Sequence, residues 1–343
     1  MRRELTLLVP GLFGPLPGVP ADQLVPGEPL PGLEGLLARA PARVFPARSP
    51  ERALLRLFGC DPEAAGVAAT SYLGDTGHSP EGPLLRADPV YMRAATGALM
   101  QFDGSGLGLE QSEADALVAA CNELLEGDGA QLSAPAPHRW YLHLKRLPRV
   151  RTRPLSETRG VDLTRLMPTG EEGAFLRGLL TELQMVLTDH RVNRERERAG
   201  RPAANSLWLW GEGDDPQPEV HCWNSVCSED PLARGLAVRA RVPARRLPDD
   251  AGPVLAATTT GPELVMLDQA WQVVQYGDPR EWMQVLQALE RSWFRPVWQA
   301  LRRRQLGRVH VLPLDGRAYR AGRADRWRLW RPRRSVARLA GAT

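Results

Sequence analysis

Residues 201–213 read RPAANSLWLWGEG. Leu207, Trp208, Leu209 and Trp210 form a short apolar run between Asn205-Ser206 and Gly211-Glu212-Gly213. A run of this length, bounded by turn residues, reads as a strand. Side chains alternate across a strand, so Trp208 and Trp210 share one face and Leu207 and Leu209 the other. A strand apolar on both faces is expected in the middle of a sheet, buried between layers. The glycines behind it allow a sharp turn.

The segments around this strand alternate in kind. Upstream, TGEEGAFLRGLLTELQMVLTDH (169–190) predicts a helix, with Glu171 and Glu172 suited to its first turn and Phe175, Leu179, Leu183 and Val186 at helical spacing. HRWYLHLKR (138–146) alternates as a strand, and LEQSEADALVAACNELLEG (109–127) predicts a helix burying Ala116, Leu117, Ala120, Leu124 and Leu125. PLLRADPVYMRAATGALMQFDGSG reads as strands with turns. Residues 81–220 are therefore expected to form an inserted α+β domain.

On either side lies an α/β pattern, assigned to 1–80 and 221–343. Residues 5–9 predict a buried strand, 14–35 a Pro/Gly-rich loop, and SPERALLRLFG (49–59) a helix started by Ser49 and Pro50. LAVRARV, PELVML and RVHVLPL read as strands, and 279–306 as a long helix bent or broken at Pro296.

Composition agrees with two soluble domains: 343 residues, 43% hydrophobic and 24% charged. No apolar run approaches the roughly 20 residues of a membrane span. The N-terminal MRRELTLLVPGLFG has the look of a weak signal peptide but breaks at Pro10-Gly11, so a cytoplasmic location is expected. Cys60, Cys121, Cys222 and Cys227 are scattered; HCWNSVC is one half-site without a second pair, so buried thiols are expected rather than zinc. The net charge is +4, and nearly all the positive charge is arginine, with Lys145 the only lysine. The basic end RADRWRLWRPRRSVARLAGAT is expected to pack through Trp327, Leu329 and Trp330 rather than to bind nucleic acid.

Residues 187–213, LTDHRVNRERERAGRPAANSLWLWGEG, resemble a segment of the archaeal-type, cofactor-independent phosphoglycerate mutases, with His190, Asn193, Arg194, Gly200, Pro202, Ala203 and Asn205 in the pattern. RADPVYMRAATGALMQFDG, with Asp88 and Arg93, SPERALLRLFGCDPEAAG, and ELVMLDQAWQVVQYGDPREWMQVLQALER resemble further segments of the family. The middle segment and RWRLWRPRR look most like a bacterial branch called RpfE-type regulatory proteins. The resemblance implies an alkaline-phosphatase-like α/β core with an inserted substrate domain. It implies a chemistry in which two divalent metals, held by Asp and His, activate a serine that carries the phosphoryl group.

Carried over residue by residue, the metal site is depleted. Pro10 stands where a liganding Asp closes the first strand, Gln272 replaces a histidine after Asp268, and Gly316 replaces a histidine after Asp315. Ser49 is the candidate nucleophile, and Asp268 and Asp315 are residual metal ligands. No cofactor is expected; an active form would need a divalent metal, manganese or zinc. Arg93, Arg139, His190, Asn193, Arg194 and Asn205 suit a small phosphorylated or carboxylated metabolite. The reading preferred is a regulatory or ligand-sensing pseudoenzyme. The alternatives are an active mutase or phosphatase with a rearranged site, and a nucleic-acid-binding regulator using its basic C-terminus. The sequence names no protein partner.

Overall fold

The computed structural model describes residues 3–14, 29–37, 40–95, 98–102, 104–127, 129–158, 166–258, 260–274 and 278–322; side chains between 93 and 105 are outside that description. Arg93 falls among them, and the basic run 323–343 is also outside. Contacts divide the chain into two units, residues 1–60 with 217–343, and 61–216. The insertion thus starts 20 residues before the boundary expected at 81. The reason lies in 64–68, which bond to 211–214 rather than to the first unit.

The first unit contains β1 (Glu4–Leu8), α1 (Pro31–Leu37), β2 (Ala42–Val44) and α2 (Pro50–Leu57). The second contains α3 (Ala68–Thr76), β3 (Leu84–Ala95), β4 (Ala98–Phe102), α4 (Gly104–Leu107), α5 (Gln111–Leu125), β5 (Gln131–Ala136), β6 (Arg139–His143), α6 (Gly173–Asp189), α7 (Arg191–Arg198) and β7 (Ser206–Trp210). The chain then completes the first unit with β8 (Ser225–Cys227), α8 (Pro231–Arg239), β9 (Ala244–Arg245), α9 (Gly252–Ala256), β10 (Pro262–Met266), α10 (Gln269–Val274), α11 (Pro279–Leu289), α12 (Arg295–Arg302), β11 (Arg308–Leu312) and β12 (Arg317–Gly322).

The first unit is built on a seven-stranded mixed sheet in the order β2-β12-β11-β1-β10-β8-β9. β1 lies parallel between β10 and β11, and β12 is antiparallel to both β11 and β2. Leu5, Leu7, Val9, Val265, Val309, Val311 and Tyr319 point to one face, where they pack against apolar side chains of α1, α11 and α12. The mixed α/β architecture expected from the sequence is the one observed. α1, however, begins inside the stretch read as loop, and residues 236–242, read as a strand, mostly belong to α8. There Asp230 caps the helix by accepting from the Ala233 amide, and Pro231 occupies its first turn.

The helical run near Pro296 does not break. A wide turn at Glu290–Phe294 joins α11 to α12. Proline removes a donor and crowds the carbonyl four residues back. That carbonyl, of Ser292, accepts instead from the Ala251 amide at 2.9 Å. The buried Glu290 carboxylate accepts from the Gly32 and Leu33 amides at 2.7 and 3.0 Å, satisfying donors at the start of α1.

In the second unit β3 is the hub of a five-stranded antiparallel sheet, pairing with β4, β6 and β7. Leu207 and Leu209 face the apolar layer of α5 and α6. Every residue of β7 is buried, as its two-faced composition predicts. β7 is not central in the ladder, however: among the described strands it pairs with β3 alone. The inward faces of two helices are also turned from those expected. Phe175 and Leu124 are exposed, and α6 buries Leu176, Leu179, Leu180, Leu183 and Leu187.

The glycines after β7 serve close approach. Gly211 has φ +91 and Gly213 φ +137, and a Cβ on Gly213 would stand 2.5 Å from the Gly66 amide nitrogen. The Val67 and Ala68 amides both donate to the Gly211 carbonyl, at 3.0 and 3.1 Å, so this carbonyl caps the start of α3.

Candidate functional site

Two places are candidates: the carboxyl ends of the parallel strands in the first unit, and a buried polar network in the second. In open α/β sheets, ligands gather where parallel strands end. The Val9 amide donates to the Leu312 carbonyl and the Leu267 amide to the Leu8 carbonyl, both at 2.8 Å, so the ends of β1, β10 and β11 lie side by side. Asp268 follows β10 and Asp315 follows β11, with β1 between them. Two strand spacings separate the ends of β10 and β11, roughly 10 Å.

The groups there are already engaged. Asp315 accepts from the Arg317 amide at 2.9 Å and the Tyr319 hydroxyl at 3.1 Å. Burial raises its pKa despite these two donors. The Asp268 carbonyl accepts from the Trp271 amide at 2.9 Å at the start of α10. Ser49 is 2% exposed and caps α2, its Oγ accepting from the Arg52 amide at 3.5 Å. Gly11, beyond Pro10, has φ +76 and lies against Ala270 and Trp271; its carbonyl accepts from Trp282 Nε1 at 2.9 Å. Among the described residues no group of three or more His, Cys, Asp or Glu side chains is placed to hold a cation. The donors among the described residues do not fit the two-metal centre that the family resemblance implies.

In the second unit, alternation on β3 sends Arg86 and Asp88 to the face opposite α5 and α6. Arg86 binds Asp88 Oδ1 through Nε at 3.1 Å and Nη2 at 2.6 Å, and Trp210 Nε1 donates to Asp88 Oδ2 at 2.7 Å. The Arg86 guanidinium lies 5.2 Å from the Tyr141 ring centre and 5.3 Å from that of Trp210. Burial opposes its charge, but the Asp88 carboxylate outweighs that penalty and holds it protonated. Tyr141 donates to Asp75 Oδ2 at 2.7 Å, and Arg139 Nε bridges both Asp75 oxygens at 3.0 and 3.1 Å. Arg139 Nη1 lies 2.8 Å from His138 Nε2. A guanidinium can only donate, so His138 accepts at Nε2 and carries its proton on Nδ1. Burial, then Arg139, lowers its pKa.

Of the anion-site candidates, Arg139 belongs to this network. Asn193, Asn205, Arg194 and His190 brace backbone. Asn193 is buried, donating to the Leu187 and Ala204 carbonyls at 2.7 and 2.9 Å and accepting from the Ala204 amide at 2.8 Å. Asn205 makes a two-point contact with Met92, at 2.8 and 2.9 Å. Arg194 Nε donates to the Asp189 carbonyl at 2.9 Å, at the end of α6. His190 caps α7, its Nδ1 accepting from the Val192 amide at 3.3 Å. Arg93 pairs with Met100 across β3 and β4. Asn193, Asn205, Arg194 and His190 are therefore not gathered around Arg139. Arg86, Asp75 and Tyr141 escaped the sequence reading. The signal was present in LLRADPVY, where two charges two apart in an apolar strand must share a face.

No protein-family model matches the chain. It is 33% identical over 114 residues to 2,3-bisphosphoglycerate-independent phosphoglycerate mutase 2 of Methanothermobacter thermautotrophicus, covering 32% of this chain and 28% of that one. It is 27% identical over 216 residues to the probable 2,3-bisphosphoglycerate-independent phosphoglycerate mutase of Geobacter sulfurreducens, covering 60% and 53%. The chain is phosphoglycerate mutase-like. It spans about half the length, or less, of these curated relatives. Among solved structures, the PH0037 protein of Pyrococcus horikoshii has the same fold, with a TM-score of 0.54 at 14% identity over 94% of this chain and 87% of that one. In this phosphoglycerate mutase-like chain no helix among the described residues is long and apolar enough to cross a membrane.

Proposed function

We propose that this phosphoglycerate mutase-like chain is a pseudoenzyme of the RpfE-type bacterial regulatory branch, a cytoplasmic protein that senses a small phosphorylated or carboxylated metabolite. The observation that carries the reading is the packing after β1. The backbone at Pro10-Gly11, where the family places a metal-liganding carboxylate, is held against α10 and bonded by Trp282. Gln272 and Gly316 stand where imidazoles are needed, and Asp315 already has two protein donors. A cation pair beside a phosphomonoester needs several anionic or imidazole donors, and Asp268 with Asp315 supplies too few.

The test is direct. Purified protein, incubated with manganese or zinc and 3-phosphoglycerate, is expected to form no 2-phosphoglycerate and to retain less than one equivalent of metal after gel filtration. Turnover that Ser49→Ala abolishes would instead establish an active mutase or phosphatase. Titration calorimetry with 3-phosphoglycerate tests sensing separately; Arg139→Gln should weaken any binding.

A further inference from the structure

The sheet of the first unit has a charged row that the reading above does not use. The registers define it. Arg43 on β2 lies opposite Ala318 on β12; Arg320, two residues on, lies opposite His310 on β11; and Arg308 lies opposite Gly322. Paired residues share a face, as do residues two apart. Arg43, Arg320 and Arg308 therefore lie on one face, on a straight diagonal over three strands. With strands about 4.8 Å apart and a rise of about 3.3 Å per residue, each step is roughly 8 Å. The opposite face of β11 and β12 carries Val309, Val311, Tyr319 and Ala321 and is buried in the core. Towards the β2 edge the arginine face is accessible: Arg43 is exposed, Arg320 is half-buried, and the Arg308 and His310 side chains are 35% and 29% exposed.

Among the described residues one carboxylate answers the three guanidiniums. Glu4, opposite Arg308 on β1, accepts from Arg308 Nη1 at 2.6 Å and lies 3.7 Å from His310 Nε2. Among the described residues neither Arg43 nor Arg320 has an ion-pair partner. The row starts at the amino end of β11, away from the strand ends that carry Asp268 and Asp315. Covered sheets bury apolar side chains on both faces; here the second face buries Leu8 and Leu264 near β1 and β10 but offers cations at regular steps towards the β2 edge.

We propose that this row binds the phosphate backbone of single-stranded nucleic acid. Evenly stepped guanidiniums match a ligand with repeated phosphates, and arginine forks suit phosphate oxygens. The sequence after β12 adds charge of the same sign: residues 323–343 hold seven arginines and one acid, Asp325, a balance that raises attraction for a polyanion. The row alone is the proposed site.

The experiment is fluorescence anisotropy of a labelled twenty-nucleotide oligo-dT with the full chain at 50 to 200 mM salt. Wild type is expected to bind, with log K falling linearly in log salt. Arg43→Gln with Arg320→Gln should weaken binding at least tenfold and reduce the salt slope by roughly 1.4, at about 0.7 per single-strand phosphate contact. Arg291→Gln with Arg302→Gln, on exposed helix positions, should change neither. If the first pair lowers the urea midpoint, Arg43→Gln alone, on the exposed edge strand, gives the reading. No oligo-dT binding at 50 mM salt, equal binding by wild type and variant, or preference for polyglutamate overturns the proposal. None of these outcomes depends on whether 3-phosphoglycerate is bound or converted.

Discussion

Arg86 shows what a buried charge demands. Its side chain is 8% exposed, close to two aromatic rings and bound to an Asp88 that also accepts from Trp210. Removing one member leaves an uncompensated ion in low dielectric, whereas removing both need not. Asp88→Ala is therefore expected to cost about 3–5 kcal/mol in urea unfolding. Arg86→Met combined with Asp88→Val should cost less than that single change; a larger loss in the pair would show that Arg86 is held mainly by its rings. The same saturation defines what the network can do. Both oxygens of Asp88 and both of Asp75 have donors, so this cluster offers orientation and register rather than a free base.

The elements of the insertion are fitted to one another through glycine. Gly213→Ala puts a Cβ 2.5 Å from the Gly66 nitrogen at φ +137, whereas Gly77→Ala, at φ +78, meets nothing within 4 Å. Gly77→Ala should cost about 1–2 kcal/mol, the penalty for a left-handed residue. Gly213→Ala should cost clearly more, and equal urea midpoints would show that 64–66 gives way. β7 itself was legible to the residue, because turn chemistry marks both of its ends. α8 was not: LAVRARV alternates like a strand, while the wider spacing of Leu232, Ala233, Leu236, Ala237 and Ala240 is helical and decides the outcome once Asp230 caps it. Phe175 and Leu124 misled for a related reason, since apolar positions on a long helix admit two neighbouring faces and only packing selects one. The candidate site was less legible than the fold. Asn193, Asn205 and His190 are polar residues of the kind that bind ligands, yet only the folded backbone reveals the amides and carbonyls that occupy them.

For the whole molecule, the histidines set the response to acid. His138, His143, His190 and His310 all have pKa values lowered from the ordinary 6.5, in each case chiefly by burial. Below about pH 6.5 the unfolded chain then binds more protons than the folded one. Stability from this source is complete above that pH and is lost as pH falls through the lower folded-state values. The urea midpoint should therefore hold from pH 8 to 7 and decline towards pH 5; His138→Gln should flatten part of the decline. A midpoint constant over that range would mean that the imidazoles protonate without cost in the folded state. The hydrogen bonds where the chain leaves and rejoins the first unit bear on ancestry as well as stability. The Glu219 amide meets the Phe58 carbonyl at 2.9 Å, and the Asp214 amide meets the Ala64 carbonyl at the same distance. Each half is thus stitched shut at its own seam. A splice there would need only a short bridge, because the backbone bonds at each seam stay within one half.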